Sequence, residues 1–344
     1  MASIIIASVP IHGHVAPLLA VARQFVDRGD DVRFLTGARF AEAVLRIGAT
    51  YIPLPADADY DVGTFALLPE RARLKGARAI AFDVENLFAK PAKAQYQAML
   101  HAHRERPVDA VLVDPTFYGY ALMLGHPRRV RPAVVICGVL PLSVESRETA
   151  PFGMGLPPAS RLNRPRNAAL KVLNRRVLAG PQRVLSDFHR QLHGTEMPEH
   201  VAAVGRRADA IVQFTVESFE YPRAAAPPQL HFVGPLSATG SQAPLPPWWD
   251  ELDGTKPVVH VTQGTVANAD YGQLVAPTLK ALAGDDVEAV KTAFDTLVES
   301  QQKLGEAIYA AASAESATEG EAGAEASSED VVDAEVVDDE DEKK

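Results

Sequence analysis

The 344-residue chain holds a single cysteine, Cys137. One cysteine cannot close an internal disulfide, which sets aside the disulfide-stapled secreted scaffolds. Inside the apolar run VVICGVL it reads as a small buried hydrophobe. An apolar stretch of about 18 residues is also missing, so no membrane span is expected. The N-terminus lacks the basic segment of a signal peptide, and its apolar run ends at Pro10. These absences make a soluble cytoplasmic protein the expectation. No G-x-G-x-x-G follows the first apolar run, which argues against a dinucleotide oxidoreductase. A strong basic excess is missing as well. The net charge is −10, but residues 285–344 carry 19 acids and 4 bases, a net of −15. The other 284 residues hold 25 acids and 30 bases, a net of +5, too weak and diffuse to argue for nucleic acid.

What is present is a core-forming body. Hydrophobic residues make up 47% of a chain long enough for two domains. The stretch Ile4 to Phe25 reads IIIASVPIHGHVAPLLAVARQF. Its β-branched run Ile4–Ile6 marks a buried strand. Pro10 to Gly13 break the run. Leu18, Val21, Ala22 and Phe25 then recur on one face of a helix, with Pro17 expected in its first turn and Gly29 as its stop. Strand, tight turn, helix opens a parallel α/β domain, and His12 and His14 stand at that turn. Further strands are expected at Asp31–Thr36, Thr50–Leu54, Val108–Val113, Ala133–Val139, Ala208–Phe214 and His231–Leu236. Helices are expected at Ala38–Ile47 (Phe40, Val44 and Leu45 inward), at Pro69–His103 with an interruption at Pro91, and at Arg161–His193, where Ala169, Val172, Leu173 and Val177 share helical spacing. This alternation predicts a doubly wound parallel sheet. Asp114 ends the strand VDAVLV, on the rim where such sheets bind ligands.

A neutral imidazole takes up protons near pH 7, so the histidines of that turn are base candidates. The alternative is a solvated histidine at a helix start, and for Asp114 a local turn with Pro115. The pattern strand, H-G-H-x-x-P, helix resembles the start of the macrolide-type UDP-dependent glycosyltransferases. That resemblance implies the two-domain GT-B fold. It implies that His14 is the general base that deprotonates an acceptor hydroxyl, with Asp114 orienting it, and that His12 is the weaker candidate. It implies inverting transfer of a hexose from UDP-sugar to a small-molecule hydroxyl, with UDP-sugar as substrate and no cofactor or metal. It also makes the apolar loop ETAPFGMGLPP, with Phe152, Met154 and Leu156, a lip of the acceptor pocket; a loop folded on the domain's own core is the other reading. The run VVHVTQGT at Val258–Thr265 resembles the first strand and turn of the nucleotide-sugar domain, with Gly264 and Thr265 facing the diphosphate.

The expected organisation is a GT-B N-terminal domain over 1–236, a linker over 237–256 and a remnant of the nucleotide-sugar domain over 257–284. Trp248 and Trp249 are expected to pack across the junction, and a helix at about Tyr271 to Leu282. The match then stops. Residues 285–312 and 313–344 resemble the last lid helix and the acidic D-V-V-D-A-E end of a DnaK chaperone, so the chain resembles a chimera joined near Lys280 to Asp286. Val287, Val290, Phe294, Leu297 and Leu304 recur at helical spacing, so Asp286 to Ala312 should be helical, and by its composition the acidic stretch after Ala314 should be disordered. A solubilising role for that tail is preferred to contacts with chaperone partners. The alternative to an enzyme is a catalytically inactive acceptor-binding module truncated by the fusion.

Overall fold

The computed structural model describes residues 1–152, 156, 164–236, 244–256, 258–261, 271–272 and 274–284. Contacts divide the chain into two units, Met1–Tyr271 and Gly272–Lys344.

The first unit is an α/β layer structure. Its strands are β1 (Ser3–Ala7), β2 (Asp31–Thr36), β3 (Thr50–Pro53), β4 (Ala110–Val113), β5 (Ala133–Gly138), β6 (Ala210–Gln213) and β7 (Leu230–Phe232). They form one seven-stranded sheet in the order β3-β2-β1-β4-β5-β6-β7, parallel throughout. The reason lies in the side chains of β1. Ile4 and Ile6 point into one core, Ile5 and Ala7 into another, and all four are buried. A strand apolar on both faces needs helices on both sides, which parallel crossovers supply.

On one face lie α1 (His12–Asp27) and α2 (Ala41–Arg46), through Val15, Leu18, Ala22 and Val44. Burying Leu18 completely contributes about 1.5–3 kcal/mol. The short helices α3 (Val62–Ala66) and α4 (Pro69–Ala72) precede α5 (Gly76–Asp83), which runs through a π-helical segment at Val84–Ala89 towards α6 (Ala92–Glu105). On the second face α6, α7 (Gly119–Met123) and α9 (Ala179–His193) bury Tyr96, Met99, Leu122 and Leu185; α8 (Arg164–Val177) precedes α9. Pro91 caps α6, where the Pro-interrupted pattern had placed a break. Gly29 ends α1 at φ 84°, a left-handed conformation that costs other residues more.

Several local expectations change. The helix α1 starts at His12, so Pro17 is its sixth residue and not in its first turn, and both histidines lie inside the helix. Leu45 is 61% exposed because α2 is only six residues long and turns one narrow face inward. On α8, Val172 and Leu173 are exposed and Asn167 is buried, so that helix is held by polar contacts rather than by an apolar stripe. The last strand ends at Phe232 and not at Leu236. Residues 258–261 are irregular, with Val258 and Val259 exposed, because among the described residues no neighbouring strand pairs with them. Trp248 and Trp249 are also exposed and rest on each other, ring centroids 6.2 Å apart. Of the second unit, α10 (Val275–Leu282) is described; the stretch expected to be helical after Asp286 and the acidic tail lie outside the described residues. Among the described residues no helix is long and apolar enough to cross a membrane.

Candidate active site

From β1 the chain runs outward to β2 and β3, then returns to place β4 on the other side of β1. The crevice at such a reversal, beyond the carboxyl ends of the strands, is where open parallel sheets bind ligands. Ala7 at the end of β1 pairs with Val113 at the end of β4. The next residues on each strand therefore emerge side by side. Asp114 prolongs the ladder by one bond, its N–H donating to the Ala7 carbonyl at 3.0 Å.

The Asp114 side chain is fully buried. Its Oδ1 accepts from the Thr116 N–H at 2.7 Å and from the Thr116 hydroxyl at 2.8 Å. Its Oδ2 accepts from the Val9 N–H at 3.3 Å. A carboxylate so held is oriented by three donors before any partner is counted. That partner is His14, whose Nδ1 lies 3.1 Å from Asp114 Oδ1 and 3.4 Å from Thr116 Oγ1. With the carboxylate at Nδ1, the ring carries its proton there in the neutral state and Nε2 is left as the free base. His14 is 13% exposed. Burial by itself disfavours its charged form, but the charge of Asp114 and the hydrogen bond to it outweigh burial, and the His14 pKa is raised above 6.5. His12, one step earlier, is exposed and lies beside Phe40, ring centroids 6.5 Å apart.

His14 lines a cavity of about 280 Å³. Its walls are mainly apolar and include Val84, Phe88, Pro115, Tyr118, Leu142 and Phe152. Burial, reinforced by the Asp114 charge, pushes the Tyr118 phenol up to about 12, so it stays neutral. A second cavity of about 460 Å³ shares residues 141–145, Pro151 and Phe152 and adds Leu156, Phe219 and Tyr221. Phe152 therefore borders both cavities and is half exposed, and Leu156 borders the second. Met154, Gly264 and Thr265 lie outside the described residues. Among the described residues no cluster of His, Cys, Asp or Glu could hold a metal. Two parts of the site escaped the sequence: Thr116 and the wall at 140–145. The D-P-T spacing after β4 was the available sign of the first, since an Asp readily accepts from the N–H two residues on.

No family model matches the chain. Over 296 residues it is 38% identical to 4′-demethylrebeccamycin synthase of Lentzea aerocolonigenes, covering 85% of this chain and 69% of that protein. The chain belongs to the macrolide-type UDP-glycosyltransferase family. It is also 35% identical to UDP-glycosyltransferase 2 of Phaeomoniella chlamydospora, over 84% of this chain and 66% of that protein. The solved structure of CalG4, the calicheamicin glycosyltransferase, aligns with a TM-score of 0.48 at 21% identity, over 72% of this chain and 56% of that one. The chain thus spans about two thirds of the length of the curated relatives it matches and little more than half of that solved structure.

Proposed function

We propose that the chain transfers a hexose from a UDP-sugar to a hydroxyl of an apolar small molecule, with inversion at the anomeric carbon. The observation that carries this reading is the His14–Asp114 pair, 3.1 Å apart, at an apolar cavity on the carboxyl rim of the sheet. The acceptor lies in the cavity with its hydroxyl at His14 Nε2. As the hydroxyl oxygen forms its bond to the anomeric carbon, the proton passes to Nε2 and the bond to UDP breaks, its electron pair leaving with the diphosphate. Asp114 stabilises the imidazolium so formed and keeps Nδ1 protonated. Residues 1–236 act as the acceptor domain and 237–256 as a linker. Gly264 and Thr265 in the segment 257–284 offer amides to the diphosphate, and Phe152, Met154 and Leu156 form the acceptor lip. The UDP-sugar is a substrate, and the chemistry needs neither cofactor nor metal.

A second reading is an acceptor-binding module without turnover. It is favoured by residues 258–261, which are irregular, with Val258 and Val259 exposed, where the first reading needs a strand of the donor domain. One experiment separates the two. The chain is incubated with UDP-glucose and the fluorescent phenol 7-hydroxycoumarin, with and without His14→Ala. The enzyme reading expects loss of the phenol's fluorescence as product forms, slowed about 10²–10⁴-fold in the variant. Turnover that His14→Ala leaves unchanged removes His14 as base. Binding of the phenol without turnover in the unaltered chain establishes the second reading.

A further inference from the structure

The wall of the acceptor cavity after β5 is a strap, residues 140–148, without helix or strand structure. Backbone groups in such a segment need partners as much as any others. Here side chains provide them, one after another. Gln213 Nε2 donates to the Leu140 carbonyl at 2.7 Å. Arg223 donates from one terminal nitrogen to the Leu142 carbonyl at 2.7 Å and from Nε to the Val144 carbonyl at 3.1 Å. Arg206 donates to the Glu145 carbonyl at 3.0 Å, and Lys171 to that of Ser146. Glu220 closes the set by accepting the Leu142 N–H at 2.8 Å.

The centre of this arrangement is Arg223. Its side chain is 8% exposed and that of Glu220 7%, with an N–O separation of 3.6 Å. Burial pulls the Arg223 pKa below its ordinary value, with Glu220 acting in the opposite direction. A buried ion pair is a poor way to gain stability, since desolving both charges consumes most of their attraction. Its use here is geometric. The planar guanidinium presents fixed donors, and two of them hold carbonyls two residues apart on one face of the strap. Leu142 and Val144, the residues whose carbonyls it holds, line the cavity.

We propose that Arg223, held by Glu220, is a positioning residue that sets acceptor selectivity by fixing the shape of the cavity wall at Leu142 and Val144. This rests on the reading of the cavity as the acceptor site. Arg223 and Glu220 border the second cavity but not the His14 cavity, so the effect of Arg223 on the His14 cavity passes through the strap that the two cavities share. A wall without the clamp relaxes outward. It then discriminates less against acceptors larger than the native cavity of about 280 Å³ admits.

The test uses the full chain and two phenols, 7-hydroxycoumarin and the larger 9-hydroxyphenanthrene, with dissociation constants measured by fluorescence. Arg223→Met removes the fork, and Arg223→Lys keeps the charge beside Glu220 while losing the paired donors, so the second variant serves if the first does not fold. The expected result is a shift of at least about 5-fold in the ratio of the two dissociation constants, in favour of the larger phenol. Amide hydrogen exchange across 140–148 should rise together with it, while β1 and β4 keep their protection. A folded variant with an unchanged ratio, or with parallel loss for both phenols, overturns the clamp alone. Failure of the unaltered chain to bind either phenol overturns the acceptor reading, and this assignment with it.

Discussion

Asp114→Asn is the substitution whose outcome the geometry determines most closely. The change keeps the shape and removes the charge 3.1 Å from His14 Nδ1. At an effective dielectric near 20, that pair attracts with about 5 kcal/mol when the imidazole is protonated. On the proposed role of His14 as base, a proton half transferred in the transition state feels about half of this, roughly 2.5 kcal/mol, which corresponds to about 70-fold in rate. A second cost falls on the fold. Oδ1 and Oδ2 of Asp114 accept from the N–H groups of Thr116 and Val9 respectively. An asparagine has one oxygen, so in either orientation its NH₂ meets one of those donors in a fully buried place. Such a mismatch costs about 1–3 kcal/mol of stability. The direct assay is an NMR titration of the His14 ring, which needs no turnover. In the native chain the pKa lies above 6.5, with Asp114 outweighing burial. In Asp114→Asn only burial remains, and the pKa is expected below 6.5. The raised native value contributes stability that is complete below pH 6.5 and is lost as pH rises through the folded pKa. On the proposed role of His14 as base, turnover should increase with pH through that value, as the imidazole becomes neutral. An unshifted His14 pKa in folded Asp114→Asn would falsify the pairing argument and the rate estimate built on it.

His126 and His193, outside the site, act with the opposite sign. Their rings lie 4.7 Å apart between centroids, and burial foremost holds both pKa values below 6.5. The unfolded chain therefore binds more protons below about pH 6.5, so their contribution is complete above that value and is lost as pH falls, by up to about 1.4 kcal/mol per pH unit for each proton. Urea midpoints at pH 7.5 and 5.5 should show the drop, and His126→Gln with His193→Gln should flatten it; an equally steep dependence in that double variant contradicts the assignment. Gly119→Ala places a Cβ 2.7 Å from the Tyr96 backbone nitrogen and from Gln95 Cβ, where α6 and α7 meet. Backbone cannot step aside as a side chain end can, so a loss of about 1–3 kcal/mol is expected, and an unchanged urea midpoint would refute the tight packing.

The strands were legible because their cause is local. A buried parallel strand must be apolar on both sides, and the runs at Ile4–Ile6 and Ala133–Val139 announce this within a few residues. The alternation of such runs with helical periods also implied a parallel α/β sheet, and the H-G-H-x-x-P motif implied the family. Helix starts were less legible. The Pro17 ring can stand at the first turn or, at a cost, deeper inside, and the residues before it admitted both. Leu45 looked inward because periodicity gives a face but not how much of that face a short helix can cover. The apolar residues of α8 told the same partial story, since Asn167 is buried there by bonds to the Arg147 and Glu148 carbonyls.

The sequence by itself therefore determined the seven segments that form the sheet, though not the strand expected at Val258, and it offered His14 and Asp114 as candidates. Tertiary structure alone decided who meets whom. His14 and Asp114 are 100 positions apart and become partners only because the chain returns to lay β4 against β1, bringing Ala7 level with Val113. Arg33, a charge inside a strand, is explained only by the end of α6, where its guanidinium donates to the Ala102 and Arg106 carbonyls at 2.7 and 2.6 Å. The strap at 140–148 has no periodic pattern, because its backbone is satisfied by Gln213, Arg223 and Arg206 from beyond β5 rather than by its own neighbours. Local physics sets secondary structure, but the crossovers and the long-range side-chain bonds that complete the site exist only once the sheet is assembled.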